Sequence, residues 1–261
     1  MPIDEWLDLL IEHEILYAGM IARCERTDHA VFLYAPELPD FHDANRAVRL
    51  RADGGNPEAV AREVVSYYRS RGAIPIADVD PIAEEHGVGT ALRQMGIMPM
   101  TGERLLMRYG LTEPPLSPRG QVDVLIVPNE TGKGEAAVWL ETAVADDIGR
   151  PDESLWRAVA EREARYSLCR LYLGLLDSRP AGTCDLFEAG GWGRIDSVVT
   201  RPEHRRRGVA SALVARATAD SVTSGNNRTY LFTEAGGAAE RLYRSLGFVG
   251  WNRNPFRRHS A

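Results

Sequence analysis

The sequence predicts a mixed α/β fold: a central mixed β-sheet flanked by helices, with a reduced copy of that plan in the N-terminal half. Three observations predict it. Gly193–Val222, GRIDSVVTRPEHRRRGVASALVARATADSV, begins as a strand with Ile195, Val198 and Val199, stops at Pro202, crosses a basic loop and continues as a helix rich in Ala, Leu and Val. Thr229–Thr233 (TYLFT) reads as a β-branched and aromatic strand, followed by a helix that Gly247 closes and by another strand. The segment PIADVDPIAEEHGVGTALRQMGIMP repeats that rhythm of strand, helix, glycine and strand, and aligning Gly96 with Gly247 pairs Met95 with Leu246 and Leu92 with Tyr243.

Composition bounds the reading. The 261 residues fit one large domain or two small ones, and 44% hydrophobic with 26% charged residues is ordinary for a soluble globular chain. A net charge of −6 argues against a nucleic-acid partner, although Arg205, Arg206 and Arg207 are locally basic. Cys24, Cys169 and Cys184 have neither metal nor disulfide spacing, which suits a reducing compartment. No apolar run is long enough to cross a membrane, and MPIDEWLDLL is too acidic for a secretory leader. The expectation is a cytoplasmic protein with no metal and no membrane partner; a homodimer stays open.

In chain order, residues 3–24 form an amphipathic helix through Trp6, Leu10, Ile15 and Met20. AVFLYAPELPD is a strand ended by prolines, and a helix or turn starts near Asp43. Residues 56–72 are a helix, with Asn56 as cap, Pro57 at its first position and Gly72 after its end. AIPIADVDP is a strand, residues 82–96 a helix interrupted by glycines, and 97–110 a strand or hairpin. LTEPPLSPRG (111–120) has linker composition, so residues 1–110 and 121–261 are expected to be the two domains. In the second, QVDVLIVP is a strand, two helices carry Trp139 and Trp156 on apolar faces, and RLYLGLLD with AGTCDLFEAGG forms a hairpin around Pro180.

The loop before the long helix is an anion site on physical grounds. First-turn amides lack intrahelical partners, and the helix dipole adds about half a positive charge there. Gly208 lets backbone approach a bulky anion, and Arg205–Arg207 supply donors.

The spacing Arg205-x-x-Gly208-x-Ala210 after a V-x-x-P strand end resembles the acetyl-coenzyme A signature of the GNAT N-acetyltransferases. Ala239-x-x-Leu242-Tyr243-x-x-Leu246-Gly247-Phe248 resembles that family's closing element. The resemblance covers roughly residues 121–257 and implies a GNAT fold there. The N-terminal half would be a degenerate GNAT-like domain, with Leu92 at the tyrosine position and no Arg-x-x-Gly-x-Ala loop. It further implies acetyl-CoA as cosubstrate, held by Val198, Val199, Arg205, Arg206, Arg207, Gly208, Val209 and Ala210, and transfer to the primary amine of a small molecule. A strand amide near Val198 or Val199 would face the thioester oxygen. One departure is Gly236, where many family members carry Asn.

The chemistry needs a neutral amine. An ammonium of pKa ~10.4 is about 4.6 kcal/mol away from that at pH 7, so a base or relay helps. The resemblance implies Tyr243 as general acid toward the leaving thiolate; a half-buried packing aromatic is the other reading. For the base, Asp196 comes first, as an acid amid apolar residues on a central strand, ahead of Glu188 and Glu234. A module that binds acetyl-CoA without turnover, or an enzyme acting on protein N-termini, stays open. Residues 132–134 (GKG) lack a P-loop's upstream glycine, and neither G-x-S-x-G nor H-E-x-x-H occurs.

Overall fold

The computed structural model describes residues 3–52, 54–101, 104–115, 122–129, 133–253 and 255–261. These fall into two compact units, Met1–Glu103 with Asn254–Ala261, and Arg104–Arg253. Among the described residues no helix is long and apolar enough to cross a membrane.

The first unit runs α1 (Ile3–Ala18), β1 (Arg23–Arg26), β2 (Val31–Tyr34), a 3-10 turn (His42–Ala44), β3 (Ala47–Val48), α2 (Pro57–Arg69), β4 (Ile76–Val79), α3 (Pro81–Glu85), α4 (Val88–Gln94) and β5 (Met98–Pro99). Asn56 caps α2 by accepting from the Ala59 amide at 3.2 Å, as its sequence predicts. Gly87, at φ +81°, breaks the next helix into α3 and α4. The core beneath is Phe32, Val60, Val64, Tyr68, Leu92 and Ile97. A small cleft of about 10 Å³ is lined by Glu14, Arg46, Arg49 and Asp78 among apolar groups. Arg46 and Asp78 form an ion pair at 2.7 Å.

The second unit holds β6 (Arg104–Tyr109), β7 (Val122–Val127), α5 (Gly134–Ala143), α6 (Glu153–Glu163), β8 (Cys169–Leu176), β9 (Arg179–Ala189), β10 (Trp192–Thr200), a 3-10 turn (Pro202–His204), α7 (Val209–Thr223), β11 (Arg228–Glu234), α8 (Ala238–Ser245) and β12 (Phe248–Arg253). Its seven-stranded sheet is ordered β12-β6-β11-β10-β9-β8-β7, with β10 and β11 parallel and the other neighbours antiparallel. From β7 onward, the alternation of strands and helices is the predicted one.

Strand membership differs from the expected division at 111–120. β6 lies on the early side of that boundary but pairs with β11 and β12. The last strand, β13 (Arg257–Ser260), inserts between β4 and β5 in a six-stranded sheet ordered β1-β2-β3-β4-β13-β5. The units therefore divide after 103 and again after 253. Residues 116–120 of the expected linker, and Gly132 of the GKG stretch, lie outside the described residues. Composition marks a polar, Pro-rich stretch, but backbone pairing between distant strands decides which sheet each strand joins.

Three smaller expectations also shift. α1 ends at Ala18, not residue 24. The β8–β9 turn is Asp177–Ser178, both at positive φ as a two-residue hairpin turn of the primed type requires, while Pro180 already belongs to β9. Trp139 is fully buried, but Trp156 is 38% exposed, and its indole donates to Asp152 at 2.9 Å.

α7 lies across the sheet because glycines make room for it. A Cβ on Gly174 would touch Leu213 at 3.4 Å, and one on Gly193 would collide with Ser221. Leu186, Ile195, Leu213, Val214, Leu231 and Phe248 fill the core between them.

Candidate active site

The site begins with a break in β10. Its ladder to β9 pairs Asp196 with Asp185 and then Val199 with Thr183, so Ser197 and Val198 together oppose one residue. Ser197 sits at φ +51°, the strained conformation of this bulge. Pairing between β10 and β11 stops at Arg194–Tyr230. Beyond it, β10 continues to Thr200 and β11 to Glu234 without a ladder between them. Half-buried Val198 and Val199 lie on that open stretch. Gly182 holds the bulge in place: a Cβ there would strike the Val199 carbonyl and come within 2.8 Å of Val209 Cγ1.

The basic loop follows at once. Gly208 is the N-cap of α7 at φ +85°, with no side chain to cap the helix, so the first-turn amides have no cap partner. A Cβ on Gly208 would meet nothing within 4 Å; the positive φ, not lack of space, calls for glycine. Arg206 also has positive φ, +58°. Arg205 pairs with Asp146 and Arg207 with Asp177, the latter at 3.0 Å. Both arginine side chains are about half exposed, and such pairs contribute little, so an arriving anion can compete for them.

Tyr243 sits on α8, 6% exposed, its ring 6.2 Å from that of Phe248. Burial pushes its hydroxyl up to about 12, with the Asp196 charge adding to the shift. It therefore stays protonated at neutral pH, as an acid must. Gly236, where the family pattern has Asn, donates its amide to Glu240 Oε2 at 2.6 Å, which ties up that donor.

Asp196 accepts from Arg194 and, at 2.9 Å, from the Ser197 amide. Desolvation pushes its carboxyl up, but Arg194, Arg104 and the Ser197 amide outweigh this and hold it below the usual carboxylate range. Asp196 is thus suited to attracting a cation. Of the other candidates, Glu188 is engaged by Arg170 at 2.9 Å and Asn226 at 2.8 Å, opposite Gly193 and away from the bulge. Glu234 is exposed at the end of β11.

Sequence reasoning missed Asp185, Glu163, Ser197, Arg194 and Gly182. Asp185 is fully buried opposite Asp196, and the Ser197 hydroxyl is the donor that acts on its carboxylate. Glu163, 4% exposed on α6, accepts from Ser197 Oγ at 3.3 Å. One signal was available: an acid inside the apolar run of CDLF on a strand read as central.

Residues 136–248 match the model of the acetyltransferase (GNAT) family. Curated proteins give no match. Among solved structures, the chain is similar to a GCN5-related N-acetyltransferase from Kribbella flavida, with 19% identity, 96% of this chain and 93% of that one covered, and a TM-score of 0.68. A GCN5-related N-acetyltransferase from Sphaerobacter thermophilus matches at 19% identity over 91% and 81% of the two chains, TM-score 0.62. A tandem GNAT protein from the clavulanic acid biosynthesis pathway matches at 14% identity over 99% and 95%, TM-score 0.59. These are likenesses of fold.

Proposed function

We propose that this chain, which carries a GNAT-family domain over residues 136–248, is an N-acetyltransferase that moves the acetyl group of acetyl-CoA to the primary amine of a small molecule. One observation carries the reading: the unladdered stretch of β10 beyond its bulge leads directly into the uncapped N-terminus of α7. An extended arm can add to the first by backbone pairing, and a pyrophosphate suits the second. The residues fit acetyl-CoA. Val198 and Val199 would line the arm; Arg205, Arg206, Arg207 and the amides around Gly208, Val209 and Ala210 would hold the phosphates. The bound cosubstrate supplies an activated acetyl thioester.

The chain's own groups supply the rest. A backbone amide near Val198 or Val199, on the stretch of β10 without a β11 partner, would face developing negative charge on an oxygen. Tyr243 holds a proton at its hydroxyl for a leaving thiolate. Asp196 attracts the ammonium of the acceptor. A small-molecule acceptor is supported by recession: Asp185 and Glu163 are buried and only Asp196 is partly open, so a slender amine reaches it best.

Gly208→Asp tests the reading. It sets a carboxylate where phosphate oxygens belong, and coenzyme A affinity measured by calorimetry should fall at least tenfold. Unchanged affinity would remove the loop from the cofactor site. Binding without turnover of any amine in a panel would make the protein a binding module.

A further inference from the structure

We propose that Asp185 is the proton acceptor of the transfer, reached through Asp196; this deepens the acetyltransferase reading and rests on it. Asp185 and Asp196 are direct partners in the antiparallel ladder between β9 and β10, so their side chains leave the sheet on the same face. Asp196 is the open member, its side chain 37% exposed, and Asp185 lies fully buried behind it. Among the described residues the Ser197 hydroxyl is the one donor acting on the Asp185 carboxylate, too little to offset its burial beside two other acids. Arg194 bonds Asp196 and also favours the ionised form of Asp185, but burial and the acids Glu163 and Asp196 outweigh it, while Cys169 on β8 and Cys184 are neutral thiols pushed up by burial. α5 turns Ala136, Trp139 and Thr142 inward and adds no charge, while Arg104 on β6 acts on Asp196.

The two carboxylates therefore divide the work by environment. Asp196, held ionised by its arginines, draws the ammonium in. Asp185 has the stronger affinity for a proton, because burial and the charges of Glu163 and Asp196 push its carboxyl well above the usual range. That ordering favours passage of a proton from Asp196 to Asp185. In the step, an N–H bond of the ammonium breaks and its electron pair stays on nitrogen. An O–H bond forms on Asp196; it then breaks, its electron pair returning to Asp196, as the proton bonds to an oxygen of Asp185, which starts the cycle ionised. After turnover the proton leaves to solvent through Asp196. Asp185 touches no substrate and acts through its partner.

The test uses the full chain with acetyl-CoA and a panel of primary amines. Asp185→Asn should lower kcat/KM by about 10²–10³-fold at neutral pH and abolish the rise of kcat/KM with pH on its acid side. Coenzyme A affinity should be unchanged. A variant within about threefold of wild type, with that rise intact, overturns the proposal. Glu163→Gln gives a check that does not depend on Asp185→Asn folding. Removing the neighbouring negative charge lowers the affinity of Asp185 for its proton, so the acid-side rise should move to lower pH; an unmoved rise also overturns the proposal. Absence of turnover by wild type with every amine is a different result, and it retires the acetyltransferase reading itself.

Discussion

Asp185 and Asp196 face each other across one rung of the β9–β10 ladder, and their environments drive their acidities in opposite directions. Two like charges so placed cannot both ionise freely. The rung also sits beside the bulge at Ser197, so one local distortion opens the strand edge and sets the carboxylates.

That pairing makes a stability prediction. The folded state raises the proton affinity of Asp185, so whatever it adds is present below the ordinary carboxylate range, about pH 3.9, and is lost as pH rises toward its folded value. Asp185→Asn stays neutral throughout. Its Tm should exceed that of wild type by a few degrees at pH 7–8, with the gap closing toward pH 4; at this size about 2–4 °C corresponds to 1 kcal/mol. A variant less stable than wild type at pH 8 would show that Ser197 and Arg194 outweigh the burial of the carboxylate.

Tyr243→Phe keeps the ring against Phe248 and removes the hydroxyl. As an acid variant it should lose about 10²–10⁴-fold in kcat, with KM for acetyl-CoA little changed. Because the wild-type hydroxyl titrates only near 12, it should cause no fall in kcat below about pH 11. Near-normal kcat in Phe, once chemistry is shown to limit the rate, would leave Tyr243 a packing residue.

Gly182→Ala directs a methyl group at the Val199 carbonyl and at Val209. The obstacle includes backbone, which cannot swing aside, so overpacking of about 1–3 kcal/mol is expected. Thermal denaturation should show a loss of several degrees, and coenzyme A binding should weaken with it, since the displaced group belongs to the bulge. An unaffected Tm would mean that the strand relaxes freely.

Truncation reports on strand membership. A fragment of residues 121–261 lacks β6, which lies between β11 and β12, so it should give no cooperative melting transition. Residues 1–110 lack β13, which bridges β4 and β5, and should fail likewise. A fragment of residues 104–253 should melt cooperatively by circular dichroism. Native-like melting of 121–261 would contradict the placement of β6.

By itself the sequence determined what is local. Asn56 before Pro57, Gly87 within a helical pattern, Gly208 before an apolar helix and Gly247 after one each act within a few residues, through φ limits or a single cap bond. The order of elements from β7 to β12 and the loop at 205–210 were legible for that reason. Only the tertiary structure decided which sheet received β6 and β13, because strand partners are chosen by pairing between segments far apart in the chain. The same holds for the site's interior. Asp185 reads as one acid in an apolar strand until the ladder sets it opposite Asp196 and α6 brings Glu163 alongside. Register and packing across the sheet carry that information, and periodicity along one strand does not.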